Sequence, residues 1–374
     1  MKQKIRTLLT KVRHKLGKTE KEAAIRTIAV CAAQVPFFSG GAEACVQGLV
    51  ENLRIRGFEV DLINLPYKWY PREQLLKSIE VWKMLDLSES NGKKIDLVIA
   101  TKFPSYFVRH PRKVLWLIHQ YRQIYDLLHT PYSGFDPSSR RDMARRDELV
   151  AMDTEALKSY PRIYTIAYNT ADRLKTYNHI EGIPLYHPPP LAGKYRTDSY
   201  QDFVLSVGRL DKLKRLDLLI EGLRHTRSSI TCRIAGTGPE RDRLQGRVKE
   251  AGLSDRVEFL GYVSNEDLLR LYATCGAVFF APQDEDYGYI TLEAFLSRKP
   301  VITAFDSGGP LEFVEDGVNG SVLQVLDGRT AGRAIENLLS DKALGARWGN
   351  AGFDRVKDMN WDRVVDALVH GEEP

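Results

Sequence analysis

Glu285 and Glu293 bracket the stretch Glu285-Asp286-Tyr287-Gly288-Tyr289-Ile290-Thr291-Leu292-Glu293, the strongest chemical signal in the chain. It follows a short apolar run, Ala277–Ala281, and opens a helix. Glu285 then lies in a loop at a strand's carboxyl end, the usual ligand crevice of a parallel sheet. Glu293 lies near the helix start, so both carboxylates can face one cleft. Each carboxylate can accept hydrogen bonds from two adjacent hydroxyls, which suits a sugar or a ribose. Gly288 lets the backbone approach a ligand closely, and the helix N-terminus beside it favours an anion. Acidic residues also open helices merely to complement the dipole, so the pair alone leaves a structural role open.

Cations and glycines recur at comparable places. Arg209 and Lys214 follow the apolar run Phe203–Val207, Gly40 and Gly41 follow Ile28–Ala33, and His119 follows Val114–Ile118. A solvated basic loop is the alternative for Arg209 and Lys214, since Lys212 and Arg215 lie alongside. For His119 the alternative is a hydrogen-bonded structural histidine. Two patterns carry less. Asp284-Glu285-Asp286 reads as D-x-D, a metal–nucleotide signature of a different transferase fold, but it falls inside the Glu285–Glu293 stretch and nothing else implies a metal. Gly236-Thr237-Gly238 lacks the third glycine of a dinucleotide loop. Cys31, Cys45, Cys232 and Cys275 show no metal-ligand spacing and fit buried free thiols in a reducing compartment.

Further motifs stand in order over residues 27–365. They are Gly40-Gly41-Ala42-Glu43, His119, Val207-Gly208-Arg209-Leu210 with Lys214, Ala235-Gly236-Thr237-Gly238-Pro239 and Phe259-Leu260-Gly261. Ser307-Gly308-Gly309-Pro310-Leu311-Glu312 and Asp316-Gly317-Val318-Asn319-Gly320 follow. With the Glu-x7-Glu spacing of Glu285 and Glu293, and Tyr287-Gly288 in the usual Phe-Gly slot, this ordered set resembles the retaining, GT-B-fold glycosyltransferases of family 4 (glycosyl transferases group 1).

The resemblance implies two Rossmann-like, doubly wound α/β domains facing a central cleft. It implies transfer of a hexose-type sugar, with retention, from a UDP- or GDP-linked donor to a glycan or lipid-linked acceptor, in cell-surface polysaccharide or glycolipid synthesis. No cofactor or metal is expected, so charge growing on the departing diphosphate falls to fixed cations and helix dipoles. Arg209 and Lys214 match the family's phosphate-binding pair, and Gly40-Gly41 its diphosphate-facing loop. Glu293 would hold the ribose and Glu285 the donor sugar, with Tyr287, Gly288, Tyr289 and Ile290 lining the donor site. His119 would stand by the reacting sugar, making it and Glu285 the catalytic candidates. Arg215 and Arg298 replace two glycines usual in the family, and Arg298 is expected to end its helix without a left-handed glycine cap. A sugar-nucleotide epimerase or hydrolase on the same fold, and a non-catalytic nucleotide-sugar-binding subunit, are the alternatives.

Alternating strands and helices must position these residues. Apolar runs at Ile28–Ala33, Phe58–Leu65, Ile95–Ala100, Val114–Ile118 and Arg162–Ala167 read as strands, with a helix over Gly40–Arg56 and another after Asn169-Thr170. The pattern restarts with strands at Phe203–Val207, Thr231–Ala235, Arg256–Leu260, Ala277–Phe280 and Pro300–Ala304, and helices at Leu216–Leu223, Thr291–Leu296 and Thr330–Leu339. Such alternation argues for parallel, doubly wound sheets. The expected partition is a basic helix over 1–26, an acceptor domain over 27–190 and a linker over 191–200. A nucleotide-sugar domain over 201–355 follows, then a C-terminal helix over 356–374 that crosses back to the first domain and contains Trp361.

The 374 residues, 43% apolar and 28% charged, suffice for two ordinary domains, and the apolar runs are too short to span a bilayer. No signal-peptide pattern follows the basic start, so a cytoplasmic protein is expected. The net charge of +5 is uneven: residues 1–26 hold nine Lys or Arg against two Glu. There Ile5, Leu8, Leu9, Val12 and Leu16 form an apolar stripe, which fits a helix on an anionic membrane surface or one packed on the protein. A nucleic-acid-coating protein is excluded by the distribution. In the first domain, Lys102, Arg109, Arg122 and Arg145 interleave with Phe103, Tyr121, Tyr132 and Phe135. Aromatic faces stack on sugars and cations bind phosphate, so Lys102, Arg109, Tyr121 and Arg122 are candidate acceptor contacts. Core aromatics with solvated charges are the alternative.

Overall fold

The computed structural model describes residues 25–37 and 40–372. The basic helix expected over 1–26 lies, save for Ile25 and Arg26, outside the described residues. The first sheet comprises β1 (Thr27–Gln34), β2 (Glu59–Pro66), β3 (Leu97–Lys102), β4 (Lys113–His119), β5 (Ile163–Thr165) and β6 (Ile183–Pro184). Its order is β2-β1-β3-β4-β5-β6, parallel throughout, with Ile28 of β1 opposite Val60 of β2 and Leu97 of β3. Every residue of β3 is buried, as a strand covered on both faces requires. The helices are α1 (Gly41–Ile55), α2 (Glu73–Met84), α3 (Arg140–Lys158) and α4 (Tyr168–Asn178).

The second domain repeats the plan. Its strands are β7 (Phe203–Val207), β8 (Thr231–Ala235), β9 (Val257–Gly261), β10 (Ala277–Phe279), β11 (Val301–Ala304) and β12 (Gly320–Leu323). They are parallel, in the order β9-β8-β7-β10-β11-β12. The helices are α5 (Leu216–Leu223), α6 (Arg241–Glu250), α7 (Asn265–Thr274), α8 (Tyr289–Leu296), α9 (Gly328–Ser340), α10 (Lys342–Val356) and α11 (Trp361–Val365). Ser139, Ser264 and Asp327 cap α3, α7 and α9 by accepting a backbone N–H from the first turn. No helix among the described residues is long and apolar enough to cross a membrane.

Each sheet reverses its strand order once, between β1 and β3 and between β7 and β10. Crossovers diverge there, leaving a crevice at the strands' carboxyl ends. One apolar core joins the domains: Trp116 and Ile118, Leu205 and Leu292, and Val364 and Leu368 belong to the same buried cluster. Residues 191–200 are irregular yet anchored, since Asp198 donates its N–H to Ala273 O (2.9 Å) and Tyr200 its hydroxyl to Arg298 O (2.7 Å). In the last segment, α11 packs on α1, where the Trp361 ring fills a notch at Gly48. A Cβ added to Gly48 would stand 2.7 Å from Trp361 Cζ2.

The two family departures share one conformation. Arg215 and Arg298 lie in the left-handed region, at φ +50° and +55°. Arg298 thus ends its helix without a glycine, as expected, and takes the left-handed cap conformation itself. Its N–H bonds to Phe295 O (2.9 Å) and that of Lys299 to Ala294 O (2.8 Å), the paired bonds of a Schellman ending. Its guanidinium lies over the Phe353 ring at 3.8 Å.

Candidate active site

The sequence-predicted groups gather at the carboxyl ends of strands flanking the two reversals. Gly40 and Gly41 follow β1 and start α1, Lys102 ends β3 and His119 ends β4. Arg209 follows β7, with Lys214 one short turn later, and Glu285 lies past β10. The Glu285 loop is fixed on two sides within its own domain. The N–H of Gln283 bonds to Leu213 O (2.8 Å), beside Lys214, and that of Glu285 to Ser307 O (2.9 Å). Gly308, at φ +70°, admits this approach, because a Cβ there would stand 2.6 Å from Glu285 O. Gly288, at φ +85°, turns the chain into α8, where a Cβ would meet Pro310 Cγ at 2.9 Å.

Glu285 and Lys214 form a direct ion pair, with the ammonium 5.4 Å from the centre of the Phe280 ring. Glu293 accepts a hydrogen bond from the Tyr272 hydroxyl (2.7 Å), and burial raises its carboxyl above the usual range. Across the cleft, α1 begins with Glu43 accepting from the Gly40 N–H (2.9 Å) while also pairing with Lys102 (2.5 Å). His119 Nδ1 lies 3.0 Å from Gln120 O, and burial together with the Lys102 charge lowers its pKa. Its imidazole is thus neutral at pH 7.

The flanks of Glu285 are gripped from the opposite domain. Arg122 bonds to Asp284 Oδ2 (2.6 Å) and Asp284 O (2.9 Å), and to Asp126 (2.6 Å). Arg173, on α4, bonds to Asp286 (2.6 Å) and reaches Asp284 at 3.2 Å. Asn169, one turn earlier on the same helix face, donates to Asp284 Oδ1 and Glu285 O, each at 2.8 Å. Burial alone would raise the Asp286 carboxyl, but Arg122 and Arg173 outweigh it and hold it near 2. Farther along, Glu312 caps α4 from the second domain, accepting the N–H groups of Tyr168 (2.9 Å) and Asn169 (2.8 Å).

Residues 191–355 match the family described as Glycosyl transferases group 1. Those residues belong to that family. An uncharacterized glycosyltransferase of Methanocaldococcus jannaschii is 25% identical over 90% of this chain and 94% of its own. The human alpha-1,3/1,6-mannosyltransferase is 32% identical, but the match spans only 41% of either chain. Among solved structures, Anabaena HepE in complex with UDP and glucose has a TM-score of 0.67 at 17% identity, over 92% of this chain and 98% of that one. A sucrose-phosphate synthase from Thermosynechococcus elongatus reaches 0.70 at 20% identity, over 92% and 98%. The arrangement is the GT-B fold.

The structure redistributes several of the sequence-predicted site residues. Lys102 is only 6% exposed and is committed to Glu43, so it is no open acceptor contact. The backbone of Arg109 forms an isolated β-bridge with that of Asp86, beside His110 and Lys113, at the amino-terminal end of β4, opposite the end that bears His119. Arg122 belongs to the cross-domain ion cluster. Of the four acceptor candidates, Tyr121 lines an open pocket at the carboxyl end of β4, beside Tyr132 and Phe135. Tyr287 is buried with its ring stacked on His187 (4.4 Å between centroids), and its hydroxyl is taken by the His187 backbone, so its side chain is packing. Tyr289 crosses to the first domain, packing on Gly41 and bonding to His187 Nε2 (2.6 Å). Ile290 meets the chain at Gly208. Asp284 and Asp286 face arginines, and the described residues hold no cluster of three or more metal-ligating side chains.

Sequence reasoning missed Arg173, Asn169, Asp126 and Tyr272. One signal was present: Asn169 and Arg173 fall one turn apart at the start of a helix that follows a strand.

Proposed function

We propose that this protein transfers a hexose-type sugar from a UDP- or GDP-linked donor to a glycan or lipid-linked acceptor, with retention and without a metal. The Lys214–Glu285 contact at the carboxyl ends of β7 and β10, facing the N-terminus of α1, supports this best. It sets a cation for the diphosphate against a carboxylate for the sugar. A bound donor would draw Lys214 and Arg209 to its diphosphate, aided by the amide end of α1 at Gly41. Glu285 would be released to hydroxyls of the sugar, and Glu293 would bind those of the ribose. In the reaction, the acceptor oxygen bonds to the anomeric carbon. The bond from that carbon to the diphosphate breaks with its electron pair going to the diphosphate, and the acceptor's hydroxyl proton follows it. A neutral His119 can accept a hydrogen bond at this centre without adding charge.

HepE has been captured with UDP and glucose, and the mannosyltransferase relative carries its activity in its name. Both favour a nucleotide-linked hexose here. We also propose a cytoplasmic enzyme resting on anionic lipid through residues 1–26, to be checked by co-sedimentation with phosphatidylglycerol vesicles. The decisive experiment for the transfer pairs a thermal-shift screen of UDP- and GDP-sugars with product analysis of Glu285→Ala. Retained nucleotide binding with lost transfer is expected. Unchanged product formation would refute the assignment.

A further inference from the structure

We propose that the pocket walled by Trp69, Tyr70, Tyr121, Tyr132 and Phe135 seats an uncharged pyranose ring of the acceptor. The proposal rests on the transferase function above and gives that function its acceptor subsite.

Position is the first ground. Tyr121 follows His119 by two residues at the carboxyl end of β4. Tyr132 faces the other domain, close enough to Asp211 and Glu240 for burial and their negative charge to raise its phenol. Those two residues lie in the loops past β7 and β8. The pocket therefore lies at the carboxyl end of β4, close to His119 in the chain, with its Tyr132 wall toward the second domain.

Chemistry is the second. The cavity measures about 530 Å³, a size typical of small-molecule sites. Aromatic faces are electron-rich and match the electropositive C–H faces of a pyranose. Gln123 and Glu73 on the rim can bond to its hydroxyls. The two rim arginines are already matched by acids. Arg72 pairs with Asp142 and lies over Phe135 at 4.8 Å, while Arg145 faces Glu73 at 3.7 Å. Near-neutral balance favours a sugar over a phosphate.

The walls are also held in place before any ligand arrives. Tyr121 stacks on Phe103 at 5.2 Å and donates its hydroxyl to Gln123 (2.7 Å), and Trp69 meets Tyr70 edge-on at 5.2 Å. Beside Trp69 and Tyr121, the Tyr67 hydroxyl is buried without a hydrogen-bond partner.

The test uses the full chain saturated with UDP or GDP and a panel of methyl α- and β-pyranosides of glucose, mannose and galactose. Binding is read by saturation-transfer NMR. At least one glycoside is expected to bind the wild type and to bind Tyr132→Ala and Trp69→Ala about tenfold more weakly. The nucleotide-induced thermal shift of both variants should stay at the wild-type value, which also shows that they fold. If no glycoside binds while nucleotides do, or if the variants bind glycosides as well as wild type, the subsite is wrong and the transferase function stands. If neither nucleotide shifts the wild type, the transferase function itself fails, whatever the glycosides do.

Discussion

Replacing Arg173 by Gln leaves Asp126, Asp284 and Asp286 facing one another with Arg122 as their remaining arginine. Arg173 is 5% exposed and lies 2.6 Å from Asp286, 3.2 Å from Asp284 and 3.4 Å from Asp126. Removing one partner of a buried pair costs about 3–5 kcal/mol. A second gauge comes from Asp286, held near 2 instead of 3.8, and at about 1.4 kcal/mol per pH unit this is roughly 2 kcal/mol. Its side chain is 23% exposed, so water screens the interaction only in part. Arg173→Gln should therefore lose about 3 kcal/mol in urea unfolding at pH 7, and Asp286→Asn about 2 kcal/mol. The double variant should lose about 3 rather than 5 kcal/mol, because the second change removes a charge the first has orphaned. Turnover should fall in both single variants more than nucleotide affinity does, since the clamp holds the backbone on either side of Glu285.

The pH dependence has a fixed sign. A carboxyl whose pKa is depressed on folding stabilises fully above its unfolded value and loses that contribution as pH falls through the folded one. The gap between wild type and Asp286→Asn should thus be constant above about pH 5 and close between pH 4 and 2. Additive losses within about 0.5 kcal/mol, or a gap that ignores pH, would refute the clamp.

Three further outcomes follow from the geometry. Lys299, fully buried, has its pKa pulled by burial from 10.5 to about 8, so the wild type should gain about 2–3 kcal/mol relative to Lys299→Met as pH rises from 8 to 10.5. Chemical denaturation across that range checks it, and a flat difference would count against it. Gly288→Ala places a Cβ at φ +85° and 2.9 Å from Pro310, so a loss of about 1–3 kcal/mol is expected, with a fall in turnover as the Glu285 loop shifts. Wild-type melting temperature and turnover would contradict it. Trp361→Ala empties the notch at Gly48 and removes the edge-to-face contact with Trp116 (6.0 Å between ring centroids), which should cost about 3–5 kcal/mol by urea titration.

The site's local parts were legible because each belongs to a strand end or a helix start that short-range sequence specifies. Glu285, Lys214, Gly41 and His119 all fall where an apolar run meets a polar turn. Contacts between distant segments were not. Arg109 and His119 are close in sequence, but β4 carries them to opposite ends of the sheet. Arg173 reads as one more polar helix residue until the fold brings it to Asp286, 113 positions later. The long helix α3 was missed because its buried face is broken by a charge. Asp153 sits between Leu149 and Leu157, where an apolar residue is the ordinary choice, and accepts hydroxyls from Tyr106 and Tyr125. Burial raises its carboxyl to about 6, a cost that the hydrogen bonds from the two phenols offset in part.

The start of α4 has a consequence for how opening of the cleft can be watched. Ala167, at its N-cap position, offers no side-chain acceptor, so the Tyr168 and Asn169 amides are covered by Glu312 of the other domain. Whenever the domains part, those two protons lose their acceptor and become free to exchange with solvent deuterium. Their uptake rate, compared with amides deeper in the same helix, counts separations of the domains without any attached label. A donor that draws the domains together should slow that count at those two positions first.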